Sequence, residues 1–355
     1  MSVKRKTLKV YAVHSWVKDV NSFLSFLNIE PLKDEFDFVW ADSYPPDYVI
    51  ATDQIYSSKA IFRRFKKNYR EDAINIFIAS EAIAPDFNVF DYCVGWDSNM
   101  QIGDRYCLLP PAYVYPGRKF IKEIVNTLTT QEQAREELSK KTGFCNFLYS
   151  NWAAHPMRDR LFYELSKYKK VDSLGKHLNN VARKGTGYIG HRMECIEIKR
   201  PYKFSIASEN ATFPGYTSEK IWTSFNAHTV PIYWGDPDIG KFYNEKAFIN
   251  AMKYDSINAL MQRVKEIDDD DEKWCEMVSQ PWQTAEQVRL SQDREQEYLN
   301  FFRHIFSQEY KYAHRASSGT MPDVYKYHFF NGFRSKWSEY CRVLKHKIEI
   351  KKSRK

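Results

Sequence analysis

The 355 residues of this chain can form two domains, and a hydrophobic share of 43% is enough for a sizeable buried core. The net charge is +8, yet residues 312–355 hold 11 Lys/Arg and 3 Asp/Glu, so the basic and acidic residues of the preceding chain balance. This distribution argues against a dedicated nucleic-acid-binding protein, which usually has a basic face on its folded body. No apolar run reaches about 18 residues, so no membrane-spanning helix is predicted.

The first half of the chain alternates short apolar strands with helical stretches. Strands are predicted at residues 8–13, 36–40, 48–52, 74–79 and 92–96, and helices at 20–27 and 56–65. This alternation indicates a parallel sheet with helices on its faces. Ligands bind beyond the carboxyl ends of the strands in such sheets. Glu81, which follows the fourth strand, and His14 and Trp16, which follow the first, are therefore candidates for a binding cleft.

A second alternating series follows a polar helical stretch at residues 120–140, which we interpret as a connector. Its strands are predicted at residues 144–149, 202–207, 229–234 and 248–250, with a helix at 158–168. The predicted fold class is α/β, with two doubly wound, Rossmann-like domains facing across a cleft. Residues 1–141 form the first domain together with the connector, residues 142–311 form the second, and residues 312–355 form a basic amphipathic tail.

The most informative segment spans residues 202–235, where a strand, a polar loop, a helix and a second strand follow one another. Thr217 is a plausible N-cap, which places Glu219 and Lys220 in the first helical turn. A lysine is unfavourable beside the free N–H groups of that turn, so Lys220 suggests a bound anion such as a diphosphate. The alternative is that Lys220 is a solvated surface residue and that the loop only builds a turn.

Three separated segments resemble one family, the alpha-1,3-fucosyltransferases of glycosyltransferase family ten. The pairs Glu209-Asn210, Gly215-Tyr216 and Glu219-Lys220, followed by residues 230–235, resemble its donor-binding signature. Residues 81–96 resemble the region of the catalytic glutamate in bacterial members, and residues 150–159 resemble the region of an arginine that contacts the donor diphosphate. The resemblance covers about residues 74–250. It departs from the family at Ala82 and Ile83, where bacterial relatives carry polar residues.

The resemblance implies the two-domain GT-B architecture, with acceptor contacts on the first half and GDP-fucose on the second. It implies inverting transfer with Glu81 as the general base, and with Arg158 and Lys220 as the cations that stabilise the GDP leaving group. By the same resemblance, the ribose, phosphate and fucose would be lined by Asn210, Tyr216 and Glu219. Without the resemblance, a helix cap or a solvated loop carboxylate would be the favoured interpretation of Glu81.

The acceptor side is less defined. His14 and Trp16 could contact an acceptor sugar, or they could be core or rim residues. The family uses several acceptor ends, so the expected acceptor is an oligosaccharide, a glycolipid or a lipopolysaccharide, with linkage to the 3-OH or the 4-OH open. A sugar-binding protein without turnover is the alternative. Asp236 and Asp238 resemble a metal-binding pair, but a turn is favoured, so no cofactor is expected to be required and a divalent metal would at most stimulate.

The tail and the cysteines bear on location. The six cysteines show no metal-binding spacing, which favours reduced core thiols in a reducing compartment over disulfides. The apolar run at residues 8–13 is too short for a signal peptide, and animal members of the resembled family carry an N-terminal anchor, so a bacterial, cytoplasmic protein is expected. Six apolar residues of the tail recur at helical spacing, namely Phe330, Phe333, Trp337, Cys341, Leu344 and Ile348. Basic residues occupy the other directions around the same predicted helix. This pattern predicts a helix on the inner face of an anionic membrane. The alternative is that the stripe packs against the first domain.

Overall fold

The computed structural model describes residues 5–42, 44–109, 128–181 and 192–332. The strands within these ranges are β1 (Lys6–Val13), β2 (Phe36–Trp40), β3 (Tyr48–Thr52), β4 (Ile74–Ile78), β5 (Tyr92–Gly95), β6 (Tyr106–Leu108), β7 (Gly143–Phe147), β8 (Val171–Ser173), β9 (Tyr202–Ser208), β10 (Val230–Trp234) and β11 (Ile249–Asn250). The helices are α1 (Val20–Leu27), α2 (Gln54–Ser57), α3 (Lys59–Asn68), α4 (Gln131–Ser139), α5 (Met157–Ser166), α6 (Arg192–Lys199), α7 (Glu219–Asn226), α8 (Ile257–Asp268), α9 (Asp271–Val278), α10 (Ala285–Ser307), α11 (Tyr310–Ala313) and α12 (Thr320–Asn331).

The described strands form two sheets with the same winding. The first has the order β2-β1-β3-β4-β5-β6 and the second the order β11-β10-β9-β7-β8, and all pairings are parallel. Each sheet therefore contains the doubly wound order in which the second strand lies outside the first and the chain then reverses direction. The predicted fold class is confirmed. All five residues of β3 and of β4 are buried, as expected for strands covered on both faces.

Local signals explain where elements start and stop. Helix α1 has the predicted bounds because Asp19 accepts a hydrogen bond from the Ser22 amide at 2.7 Å, and Asn28 ends the helix with a φ of 53°. The predicted helix at 56–65 is divided into α2 and α3, since Ser58 caps α3. Strands β6 and β8 were missed because three residues are too few to show a periodicity.

Two helices pack across the predicted domain boundaries. Ala134 of the connector helix α4 belongs to the core of the second domain, so α4 packs there and not with residues 5–109. Helix α10 leaves the second domain and packs its aromatic face on the first, where Tyr298, Phe302 and Phe306 are buried. The Tyr298 hydroxyl donates to the Leu27 carbonyl at 2.8 Å. Burial of these large rings stabilises the packing of the end of the predicted second domain against the first.

The described part of the tail also packs on the first domain. Phe329 is buried, and the Phe330 ring lies 4.7 Å from Tyr69 and 5.7 Å from Phe65. Phe330 is partly buried and packs against the core of the first domain, as the alternative for the stripe expects. The other members of the stripe, Phe333, Trp337, Cys341, Leu344 and Ile348, lie outside the described residues. None of the helices that the structure describes is both long and apolar enough to cross a membrane.

Replacement of Phe302 by alanine should destabilise the protein by about 3–5 kcal/mol, because it opens a cavity where α10 meets the first domain. Chemical denaturation followed by circular dichroism measures the change. Val288→Ala is the matched control, since Val288 is exposed on the first half of the same helix and should change stability by no more than about 0.5 kcal/mol. Equal effects of the two variants would contradict the docking of α10.

Candidate functional site

The candidate site lies where the loops after β4 and β9 meet. Glu81 follows β4 and is exposed, and its Oε2 accepts hydrogen bonds from the Tyr216 hydroxyl at 2.9 Å and from the Asn210 amide nitrogen at 3.3 Å. Both partners follow β9 in the other domain. The carboxyl ends of the two sheets therefore face each other, and the structure brings together three of the predicted site residues.

Tyr216 is held as a hydrogen-bond donor by its surroundings. It is buried, and its ring packs edge-on against Trp96 at 5.4 Å. Burial, followed by the nearby carboxylates of Glu209 and Glu81, raises the pKa of Tyr216 well above its usual value. The phenol therefore keeps its proton and donates a hydrogen bond to the Glu81 carboxylate.

Gly215 permits the close approach of the two loops. Its φ is +83°, and a Cβ at this position would lie 2.1 Å from the backbone oxygen of Trp96. Only glycine fits a left-handed backbone pressed against another backbone. A further hydrogen bond across the domains joins the Ser98 hydroxyl to Asp238 at 3.0 Å.

Arg158 places a buried positive charge beside residues 209–217, the loop after β9, which is called the donor loop because it resembles a donor-binding signature. Its side chain is 1% exposed, and its guanidinium donates to the Ser208 carbonyl at 3.2 Å and to the Asn210 amide oxygen at 2.5 Å. The guanidinium also lies 4.1 Å from the centre of the Tyr149 ring. Within the described residues it forms no ion pair and its Nε–H has no acceptor. An anion bound here would meet a charge that no described carboxylate compensates.

Lys220, in contrast, has a partner that the sequence prediction missed. Its ammonium nitrogen lies 2.9 Å from Oε2 of Glu209, a carboxylate that is fully buried. Burial alone would lower the pKa of Lys220, but the charges of Glu209 and Glu219 raise it above the usual range. The lysine is therefore charged and paired within the protein, so its position alone does not require a bound anion.

Glu209 organises the start of helix α7 as well. Its carboxylate accepts from the Ser218 amide at 2.8 Å and from the Ser218 hydroxyl at 2.6 Å. Gly235 leaves room for it, since a Cβ there would lie 2.5 Å from Cγ of Glu209. The sequence signal for this pairing was the position of Glu209, an acidic residue at the end of a buried strand. A buried carboxylate needs a partner, so a nearby cation such as Lys220 could have been predicted to pair with it.

The helix begins one residue later than predicted. Ser218 is the N-cap of α7, and Glu219 and Lys220 are its first two residues. Thr217, the predicted cap, donates its hydroxyl to Asp236 at 3.1 Å instead. The Glu219 carboxylate is 36% exposed and lies 3.9 Å from the Lys220 nitrogen. Glu219 and Lys220 therefore both lie at the start of α7, directly after the donor loop.

Asp236 ties the donor loop together. It is buried and accepts from the amides of Gly215 and Asp238, each at 2.8 Å, in addition to the Thr217 hydroxyl. Asp238 is paired with Lys241 at 2.8 Å. These contacts support the interpretation of the segment as a turn. In residues 5–42, 44–109, 128–181 and 192–332, no cluster of three or more His, Cys, Asp or Glu side chains could hold a metal ion.

The two predicted acceptor residues have different surroundings. Trp16 is 67% exposed beyond the end of β1, whereas His14 is 6% exposed and its ring lies 4.4 Å from Phe26. Burial, reinforced by the charge of Arg64 and opposed by Asp53, lowers the pKa of His14 to about 4. His14 is therefore a neutral residue of the first core, in agreement with the core alternative, and Trp16 remains available at the cleft.

The fold and the site together define a class of protein. Two doubly wound domains with facing carboxyl edges form the GT-B architecture of glycosyltransferases, and here one domain presents an exposed carboxylate and the other carries buried cations. The chain belongs to glycosyltransferase family 10 (fucosyltransferase), whose C-terminal model matches residues 138–327. Residues 23–115 match the model of the alpha-(1,3)-fucosyltransferase FucT N-terminal domain.

Individual relatives agree with this membership. A putative fucosyltransferase of Acanthamoeba polyphaga mimivirus, R654, is 32% identical over 60% of this chain and 34% of its own length. The alpha-(1,3)-fucosyltransferase FucT of Helicobacter pylori is 28% identical over 55% of this chain and 44% of its own length. The chain thus matches less than half of either relative. A crystal structure of an alpha1,3-fucosyltransferase with GDP shares the fold, with a TM-score of 0.67, 22% identity, and coverage of 90% of this chain and 95% of that one.

Replacement of Glu209 by glutamine should destabilise the protein by about 3–5 kcal/mol, because it leaves the largely buried Lys220 charge without its partner. Glu219→Gln is the matched control; removal of the more exposed and more distant carboxylate should cost less than about 1 kcal/mol. Thermal or chemical denaturation compares the two. A Glu209→Gln variant as stable as the control would show that the carboxylate does not hold Lys220.

Proposed function

We propose that the protein transfers L-fucose from GDP-fucose to an oligosaccharide hydroxyl with inversion of the anomeric centre. The proposed target is the 3-OH of a GlcNAc- or Glc-type residue, as in N-acetyllactosamine. The observation that carries the proposal is the exposed Glu81 carboxylate, hydrogen-bonded across the cleft to Tyr216 and Asn210 of the donor loop. Membership of the fucosyltransferase family supports it, as does the activity in the name of the Helicobacter pylori relative.

Glu81 acts as the general base in this proposal. Both of its hydrogen bonds within the described residues go to Oε2, which leaves Oε1 to receive a proton from the acceptor hydroxyl. As that proton leaves, the acceptor oxygen attacks the anomeric carbon from the face opposite the leaving GDP. One displacement inverts the centre, so a beta-linked donor gives an alpha-fucoside.

Arg158 and Lys220 stabilise the departing diphosphate. Arg158 supplies a buried charge whose Nε–H has no acceptor among the described residues, and this suits a phosphate oxygen. Lys220 is fixed by Glu209 at the start of α7 and presents its ammonium group there. Asn210, Tyr216 and Glu219 then line the ribose, phosphate and fucose, and Asn210 connects the Arg158 guanidinium to the Glu81 carboxylate.

The test of this function is incubation of the full chain with GDP-fucose and a panel of acceptors, with the linkage determined by NMR of the product. Glu81→Gln should bind GDP as the parent protein does and turn over about 10²- to 10⁴-fold more slowly, the usual contribution of a positioned base. Glu30→Gln, which changes an exposed carboxylate outside the site, should keep its turnover.

Three results would contradict the assignment. Near-normal turnover by Glu81→Gln would place the base elsewhere. Binding of GDP-fucose without transfer by the parent protein would favour the sugar-binding alternative. A product linked through the 4-OH would replace the proposed linkage and leave the donor site unaffected.

Transfer should not require a divalent metal, since Arg158 and Lys220 provide the charge that a metal would otherwise bring to the diphosphate. Activity after removal of metal by EDTA should stay within about threefold of the untreated enzyme, compared with the roughly 10²-fold losses that follow removal of an essential charge. Activity lost in EDTA and restored by Mn²⁺ or Mg²⁺ would show that Asp236 and Asp238 bind a metal despite their contacts to the donor loop.

The basic tail is proposed to contact the inner face of an anionic membrane through residues 333–355. Truncation after Gly332 retains Phe329 and Phe330 in the first domain, so soluble transfer should remain largely intact. Sedimentation with vesicles containing anionic lipid should be lost, because the basic residues that meet the headgroups are removed. A truncated protein that sediments as well as the full chain would contradict this role.

A further inference from the structure

Lys199, the last residue of α6, is a buried cation that the proposed chemistry does not use. It is 5% exposed, and its ammonium group donates hydrogen bonds to three groups of α7, the helix that follows the donor loop. The acceptors are the Thr223 hydroxyl at 2.8 Å, the Ser224 hydroxyl at 3.0 Å and the Lys220 carbonyl at 3.3 Å. An ammonium group has three N–H donors, so Lys199 uses all of them on this helix.

None of these three acceptors carries a charge. Within the described residues, Lys199 forms no ion pair with a carboxylate. Burial of an ammonium group without a carboxylate partner is unfavourable, because neutral hydrogen-bond acceptors replace its hydration only in part. An apolar side chain of similar length would fill the same space without this penalty, so the charge of Lys199 itself calls for an explanation.

The hydrogen bonds around Lys199 continue into the core of the second domain. The Ser224 hydroxyl lies 3.1 Å from the Ser205 hydroxyl, which donates to the Asn146 amide oxygen at 3.0 Å. Ser224, Ser205 and Asn146 are all fully buried. Ser205 lies on β9 and Asn146 on β7, so this network joins α6 and α7 to two central strands of the second sheet. A buried network in which each group has a partner fixes the position of its members.

The other charges at the start of α7 give a reason for a cation at this position. Glu209 and Glu219 supply two carboxylates near the single ammonium group of Lys220, which would leave a net charge of −1. A diphosphate would be repelled by that excess. The charge of Lys199, which interacts with those of all three residues, brings the sum to zero. The free N–H groups of the helix start can then favour an anion.

We propose that Lys199 is a positioning residue of the donor site, which fixes the first turns of α7 and offsets a carboxylate charge so that Lys220 can serve the donor diphosphate. The proposal rests on the proposed use of GDP-fucose. Lys199 acts through Lys220, whose carbonyl it holds, and through the electrostatic potential at the helix start. Its effect should therefore appear in the affinity for the charged nucleotide.

The charge of Lys199 depends on pH just above neutrality. Burial is the largest cause and lowers the pKa of Lys199 to about 8, and the charge of Lys220 acts in the same direction. Cys195 on α6, and Glu219 and Glu209 beside the start of α7, act in the opposite direction. Lys199 is therefore charged at pH 7 and loses its charge as the pH rises through about 8. Lys220 keeps its charge over that range, because its pKa is raised above the usual value.

Calorimetric titration of the full chain with GDP tests the proposal. Lys199→Met, which keeps a long side chain and removes its charge, should weaken GDP binding about 10-fold at pH 7. Lys203→Met is the matched control, because Lys203 is also largely buried but pairs with Asp268 at 3.2 Å near the start of β9, at the opposite edge of the sheet. This control should lose stability and bind GDP within about twofold of the parent protein.

The pH dependence gives a second measurement that a merely structural role would not change. In the parent protein, GDP affinity should fall about three- to fivefold between about pH 7 and about pH 8.8, as Lys199 loses its proton. Guanine largely keeps its own N1 proton over this range. In Lys199→Met the affinity should change by less than about 1.5-fold over the same range, because the titrating group is absent.

The outcomes separate this inference from the proposed function. A Lys199→Met variant that binds GDP no more weakly than Lys203→Met would overturn the role of Lys199, as would a pH-dependent decline that persists in Lys199→Met and so belongs to another group such as Cys195. If Lys199→Met does not fold, the parent protein decides, and a flat pH profile overturns the proposal. Fucose transfer that survives in these cases leaves the proposed function standing. A parent protein that neither binds GDP nor transfers fucose would overturn both.

Discussion

The buried carboxylate of Glu209 is the constraint on which the proposed donor site depends. It lies at the end of β9 with no exposure to solvent, and its hydrogen bonds reach the amide and hydroxyl of Ser218 and the ammonium group of Lys220. A buried charge of this kind is tolerated only when it is fully partnered. Glu209 therefore fixes the helix start and the lysine together.

The second constraint is the contact between the two domains. Tyr216 donates to Glu81, Gly215 lies against the Trp96 backbone, and Ser98 bonds to Asp238. These contacts place the Glu81 carboxylate and the donor loop at hydrogen-bonding distance. The proposed chemistry depends on that distance. Glu81, the proposed base for the proton of the acceptor hydroxyl, is positioned by the same loop that is proposed to bind the sugar nucleotide.

The C-terminal helices also connect the two domains, because the chain leaves the second domain and packs on the first. Helix α10 buries Phe302 and Phe306 in the first core, and α12 adds Phe329. The Arg303 guanidinium also pairs with Glu35 at 2.7 Å. The two domains are consequently held by the packed end of the chain as well as by the loop contacts, with the apolar burial supplying most of the stabilisation.

The sequence by itself determined the alternating strands and helices and the two doubly wound halves, because periodicity is a local property. The candidates Glu81, Arg158, Asn210, Tyr216, Glu219 and Lys220 followed from the resemblance of their short motifs to those of a known family, which is also legible in the sequence. Only the tertiary structure decided that Glu209 pairs with Lys220, that His14 lies in a core, and that α4 and α10 pack across the predicted domain boundaries. These outcomes depend on which side chains meet across long separations in the chain, where burial and pairing of charges override any local pattern.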